Sequence, residues 1–261
     1  MAGNMKAAAA LMRISWRRNR LTAAGFWIWV VSVGLYQLLG LAFVWVTASR
    51  LSTGSQRIAT YIYGVFQGAT AIAYAFGAWT VFFASHYVRQ GKLDALIMLA
   101  PDPRLSLPFT HFEPAELFSA ASGFGIALMG LRVGGELSLS TAALTLVGIA
   151  SGAAITYSLF MAAATVSLYA VHSSAAIHFA MDLVHFGQYP VNLYPDAMRT
   201  LFTWVMPLAL IANAPAGLIA RRVSTAATFA GVAGLTGGAA LAVAAANALF
   251  KRAISRFITH W

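Results

Sequence analysis

The sequence predicts an all-α polytopic membrane protein, with an N-terminal interfacial elbow helix, six transmembrane helices, and re-entrant outer-leaflet helices ahead of the last span. Three observations carry this prediction. Of 261 residues 60% are hydrophobic and the mean hydropathy is +0.73, whereas about half of a soluble domain is apolar. Only 9% are charged, against about a quarter in soluble domains. Those few charges are grouped, leaving long uncharged windows, and a helix crossing about 30 Å of hydrocarbon needs roughly 20 apolar residues.

The elements follow in order. Residues 5–20 read as an interfacial helix: Lys6, Arg13, Arg17 and Arg20 share a face about 60° wide, while Met5, Ala8, Leu11 and Met12 take the opposite side. Such a helix lies flat on anionic lipid, and Trp16 suits the membrane–water boundary. A long basic region with no short apolar core after it does not match a secretory signal. Windows 21–49 and 58–88 contain no Asp, Glu, Lys or Arg and form spans one and two, with Arg50 and Arg57 bracketing a short loop. Residues 89–113 form a cytoplasmic segment.

The third span covers 114–131, beginning at Pro114, a favourable first-turn residue. Glu113 and Glu116 flank that proline and suit the positive end of a helix. The uncharged window 137–181 is about twice the length of one helix, and its most polar point, His172-Ser173-Ser174, divides it into spans 139–171 and 174–188. Over 189–220, Tyr189-Pro190, Tyr194-Pro195, Pro207, Asn213 and Pro215 interrupt any continuous helix. Proline removes backbone donors and kinks helices, and broken helix at membrane depth is tolerated only inside protein or along a cavity. The expected structure is a set of external re-entrant helices. Span six covers 223–250, closed by Lys251, Arg252 and Arg256.

Six spans with both termini cytoplasmic put eleven basic residues inside and six outside, in the direction of the positive-inside rule. The expected location is the cell inner (cytoplasmic) membrane. The net charge of +10 is accounted for by lipid headgroups and this bias, without nucleic acid. With zero cysteines, disulfides and thiolate metal sites are excluded. The whole chain, 1–261, reads as a single transmembrane domain.

No phosphate loop is present: Gly91-Lys92 lacks the upstream glycine and the following hydroxyl. The chain is not expected to bind ATP, or any cofactor, by itself. Neither a Gly-x-Ser-x-Gly elbow nor a His-Glu-x-x-His helix occurs, and no catalytic residue is assigned. The sharpest polar constellation is Ser174, His178, Asp182 and His185, which share a helix face about 80° wide. Ionisable groups within a span usually mark a function, so this face suits a translocation pathway, a proton relay or metal binding. The other reading is mutual pairing at a helix interface, supported by the absence of a matching carboxylate in another span. Gly64-x-x-x-Gly68, Gly130-x-x-x-Gly134, Gly148-x-x-x-Gly152 and Gly234-x-x-x-Gly238 allow close helix approach.

Charge in this chain is concentrated in Arg89-Gln90-Gly91-Lys92-Leu93-Asp94-Ala95-Leu96-Ile97-Met98-Leu99-Ala100-Pro101, directly after span two. A second distinctive block runs through Tyr189-Pro190, Tyr194-Pro195, Val205-Met206-Pro207 and Asn213-Ala214-Pro215-Ala216. In that order the two blocks resemble permease subunits of type-two ATP-binding-cassette (ABC) exporters, in particular the branch with a Gly-Lys-Leu-Asp coupling segment. Ala100 stands where that branch often has arginine.

The resemblance implies a flat N-terminal helix, six spans, a cytoplasmic coupling helix between spans two and three, and outer-leaflet helices before span six. It also implies two separate ABC ATPase subunits, which bind ATP and Mg, and a second permease, either the same or homologous. Arg89, Gly91, Lys92, Leu93, Asp94, Leu96, Ile97 and Pro101 would then be ATPase-coupling residues. A different class of function, a proton- or metal-coupled secondary transporter, would instead use His178, Asp182 and His185; an intramembrane metalloenzyme would use the same three.

Overall fold

The structure is a computed structural model that describes residues 9–10, 12–14, 16–17, 23–50, 55–78, 112–169, 174–205, 208–220 and 225–259. Among the described residues every regular element is helical. Residues 9–10, 12–14 and 16–17, within the expected interfacial helix, are helical. The main helices are α1 (Ala23–Ser49), α2 (Ser55–Ala73, continued by a π turn Tyr74–Ala78), α3 (Ala115–Val133) and α4 (Leu139–Tyr169). They are followed by α5 (Ser174–His185), 3-10 turns Phe186–Gln188 and Val191–Leu193, and α6 (Asp196–Thr200, continued by a π turn Leu201–Val205). The last two are α7 (Ala209–Ala220) and α8 (Thr225–Thr259).

At the centre stands α2. Every residue from Ala59 to Ala71 is buried, because α1, α3, α4 and α7 all pack around it. Its tightest neighbour is α3, which runs antiparallel to it. Arg57 lies beside Gly134, Tyr61 beside Gly130, Gly64 beside Ala127 and Gly68 beside Gly123, and the Glu113 N–H donates to the Ala75 carbonyl at 3.3 Å. A Cβ added at Gly64 or Gly123 would run into the opposing backbone. Glycine is what lets these two helices approach so closely.

The small residues of α4 serve the same purpose on another side. Gly148 lies under the Pro215 ring, and Gly152 lies under the Ile211 carbonyl and the Ala69 methyl. Thus α7 reaches the midpoint of α4 at Ile211 and its outer part near Pro215. Phe66, Ile155, Met161, Phe202, Leu208 and Ile211 fill the core between these elements.

Among the described residues four helices are long and apolar enough to cross a membrane: Ala24–Ser49, Ala115–Val133, Leu139–Val166 and Ala227–Ala253. That is fewer than the six spans expected. The described part of α2 carries Gln56, Arg57, Thr60, Gln67 and Thr70 and is less apolar than its neighbours, which its enclosure by protein permits. Span five, 174–188, consists of α5, only 12 residues long, and the 3-10 turn Phe186–Gln188.

Between α5 and α7 the backbone changes direction repeatedly. Pro190 and Pro195 each precede a short helical turn, and Pro215 lies inside α7. Asn213 fastens the hairpin at two points. Asn213 accepts from the Val191 N–H at 3.0 Å and donates to the Tyr189 carbonyl at 3.2 Å. Phe186, Tyr194 and Phe202 stack within it, with centroids 5.1 to 6.2 Å apart.

Candidate functional site

The polar chemistry of the bundle converges on α2. Gln37 is 3% exposed in α1, a helix that otherwise turns most of its surface outward. Its amide nitrogen donates to the Ser119 carbonyl at 3.1 Å, and its Oε1 accepts from the Ser122 hydroxyl. The Tyr63 hydroxyl donates to the Gln37 backbone carbonyl at 2.9 Å. Three helices therefore meet at one amide. Such groups must find partners where water is absent, since an unpaired buried amide or hydroxyl costs about 1–3 kcal/mol.

Toward the start of α2 the Tyr61 hydroxyl lies 3.2 Å from Thr145 Oγ1. The Thr145 hydroxyl is itself committed to the Thr141 carbonyl at 2.8 Å, so Tyr61 is the donor of that pair. At the end of the bundle Arg57 sits 3.6 Å from the Glu136 carboxylate and donates to the Gly134 carbonyl at 3.5 Å. The chain turns there through Gly135, whose φ of +67° falls in the left-handed region that favours glycine. Ser138 then opens α4, its hydroxyl accepting from the Thr141 N–H at 3.2 Å, a helix N-cap.

The residues expected to couple to an ATPase, Arg89, Gly91, Lys92, Leu93, Asp94, Leu96, Ile97 and Pro101, lie outside the described residues, as does Pro207. Ser174, His178, Asp182 and His185 all lie on α5. His178 and Asp182 are exposed, whereas His185 turns inward and its ring lies 6.2 Å from that of Phe66. The side chain of Ser174 is outside the described set. Among the described residues no three His, Cys, Asp or Glu gather closely enough to hold a metal ion. Tyr189 reaches across to Phe43 of α1, with centroids 6.3 Å apart. Tyr194 donates its hydroxyl to the Phe186 carbonyl at 2.9 Å.

The sequence reading did not single out Gln37, Tyr61, Tyr63, Ser119 or Ser122. One signal was available for Gln37: it is the only amide side chain in the uncharged window 21–49. Polar residues within spans usually face the bundle interior.

Apolar outer helices wrapped around an enclosed, hydrogen-bonded central helix define a polytopic helical membrane protein. Its family is given by a family model: the one for ABC-2 family transporter proteins matches residues 30–260, and the chain belongs to that family. It is a membrane permease of an ABC transporter, a component that in this family is generally non-enzymatic and works with an ATPase partner. Comparison with curated proteins and with solved structures returns no match.

Proposed function

We propose that this chain is the transmembrane subunit of an ABC exporter, forming the translocation pathway and coupled to a separate ATPase. The observation that carries the reading is the family match over residues 30–260 together with a sequence that lacks a phosphate loop. On this reading energy enters through a separate ATPase chain. Two ATPase subunits bind ATP and Mg, and nucleotide-driven closure of that pair supplies the force.

The grip for those subunits is the segment Arg89 to Pro101. Gly91 ends the second span, and Leu93, Leu96, Ile97 and Ala100 form one face of a short helix with Asp94 near its start. That face seats in a groove of the ATPase, and Arg89, Lys92 and Asp94 set its orientation through rim charges. The exporter works as a dimer with a second permease, identical or homologous. It sits in the inner membrane with six spans, both termini cytoplasmic and residues 189–220 re-entrant from the outer side. The basic residues of 5–20, 89–104 and 251–256 support this orientation.

Within this scheme the α5 face of Ser174, His178, Asp182 and His185 borders the translocation pathway. His178, Asp182 and His185 of the same face are the basis of the rival reading, a proton- or metal-coupled secondary transporter. Purifying the tagged chain from its own membrane separates the two. The exporter reading expects an ATPase to co-purify with it, and Leu93→Glu/Leu96→Glu to lose that ATPase while the permease remains folded. Transport that persists without any ATPase and is abolished by Asp182→Asn would overturn it.

A further inference from the structure

Where α4, α7 and α8 meet, at the end of the bundle that carries the α3–α4 turn, there is a cavity of about 370 Å³. That volume falls within the range of small-molecule sites, about 300–1,000 Å³. Glu136, Ser140, Thr141 and Thr228 line part of it, and Leu144, Leu218 and Ile219 line the rest. Ser140 and Thr228 lie toward the outer end of the cavity and Leu144 toward its inner end. Leu144 adjoins Thr145, which is level with Tyr61, whereas Ser140 lies about one turn of α4, about 6 Å, nearer the end of the bundle, and Glu136, ahead of the first turn of α4, lies beside Arg57. On the facing wall Gly231 packs under Leu218, and Thr228 stands about one turn farther out still.

A separate observation places this gradient against the bilayer. The outward face of α1 carries Trp27 and Trp29 near one end and Trp45 near the other, 59%, 43% and 51% exposed, with Leu35, Leu38 and Leu39 exposed between them. Trp27 and Trp45 are separated by a rise of about 27 Å, close to the hydrocarbon thickness of about 30 Å. Tryptophan concentrates at both membrane boundaries, so these residues mark the two edges. Val44 and Ala48, on either side of Trp45, cluster with Ala59 and Tyr63, which flank Tyr61. The boundary at Trp45 therefore passes at the level of Tyr61, Thr145 and Leu144. The apolar lining of the cavity falls at the edge of the hydrocarbon, and the polar lining falls in the headgroup layer.

We infer that this cavity is a binding site for a membrane amphiphile of the adjoining leaflet. The ligand has a head with hydroxyl or ammonium donors and a chain that starts along Leu144, Leu218 and Ile219. The Glu136 carboxylate faces Arg57 on one side, and a carboxylate has about four lone-pair positions, so acceptor capacity remains for a donor in the head. Under the orientation proposed above the leaflet is the outer one; the site itself does not depend on which side that is.

The test uses the full chain in nanodiscs of phosphatidylcholine doped with a phosphatidylethanolamine that carries a photoactivatable diazirine near the glycerol end of its acyl chain. After irradiation, label should concentrate in peptides spanning Glu136–Leu144 and Leu218–Thr228 above the level on the exposed face of α1. It should fall to that level with excess unlabelled phosphatidylethanolamine, and again in Leu218→Trp, which fills the cavity from its apolar wall. Ser140→Phe, at an exposed rim position, provides the second variant. Label spread evenly over all exposed helix faces, label unchanged in both variants, or a crosslink at these peptides to a second copy of the chain would each overturn the inference.

Discussion

The Tyr63 hydroxyl donates to the backbone carbonyl of Gln37 at 2.9 Å, joining the buried helix α2 to the outward-facing α1. The Gln37 side chain completes the junction by bonding to Ser119 and Ser122 of α3. Because little else of α1 is buried, a large share of what holds it to the bundle in one register passes through this junction.

Tyr63→Phe should therefore weaken the protein modestly, by about 0.5–1.5 kcal/mol, the usual net worth of a hydrogen bond. Gln37→Leu should cost more, because it removes both bonds of the side-chain amide, to the Ser119 carbonyl and from the Ser122 hydroxyl. Thermal unfolding in detergent, followed by helical circular dichroism, checks the order: wild type, then Tyr63→Phe, then Gln37→Leu.

Close approach of α2 and α3 gives a sharper contrast. Gly64→Ala or Gly123→Ala places a methyl against opposing backbone, and overpacking of this kind costs about 1–3 kcal/mol or more. Gly234→Ala and Gly237→Ala on α8 meet nothing within 4 Å, and should be neutral or slightly stabilising given the helix preference of alanine. Yield of monodisperse protein on size exclusion should separate the two pairs.

At the α3–α4 turn, Arg57→Glu should destabilise by removing the pairing with Glu136 and the bond to Gly134. The swap Arg57→Glu/Glu136→Arg should recover part of the loss. Both side chains are partly exposed, 38% and 18%, so the pair is worth about 1 kcal/mol or less. Melting temperatures at low and high salt should converge as screening grows.

Asn213 predicts a local effect. Asn213→Asp keeps an acceptor for the Val191 N–H but loses the donor to the Tyr189 carbonyl. The chain has no cysteine, so a single cysteine introduced at Asn192, an exposed position, reports on the hairpin without background. Its labelling by a maleimide should speed up in Asn213→Asp, whereas a labelling rate equal to the parent's would contradict the clamp.

The helical class was legible because the bilayer constrains composition: long uncharged windows in a chain with so few charges admit little else. Which window lies at the centre was not legible. A buried helix need not be the most apolar one, and α2 is enclosed while carrying Gln67, Thr70 and two tyrosines whose hydroxyls find partners on α1 and α4. The glycine strings show the same gap. Gly64-x-x-x-Gly68 and Gly148-x-x-x-Gly152 meet other helices, while Gly234-x-x-x-Gly238 faces open space, because the string fixes spacing along one helix and not what stands opposite. For α5 the spacing of His178, Asp182 and His185 placed them on one face. That His185 turns toward Phe66 while the other two face outward depends on the packing of α2, which the α5 sequence does not contain.

The central claim, that an ATPase grips the segment after the second span, is tested most directly by site-specific crosslinking. A photoreactive amino acid is placed at Leu93, Leu96 or Ile97, with Ser138 on the α3–α4 turn as control, and the chain is irradiated in its own membrane. The account predicts a covalent adduct with an ABC ATPase from at least one of the three positions and none from Ser138. No ATPase adduct from Leu93, Leu96 or Ile97, or an ATPase adduct from Ser138, would contradict it.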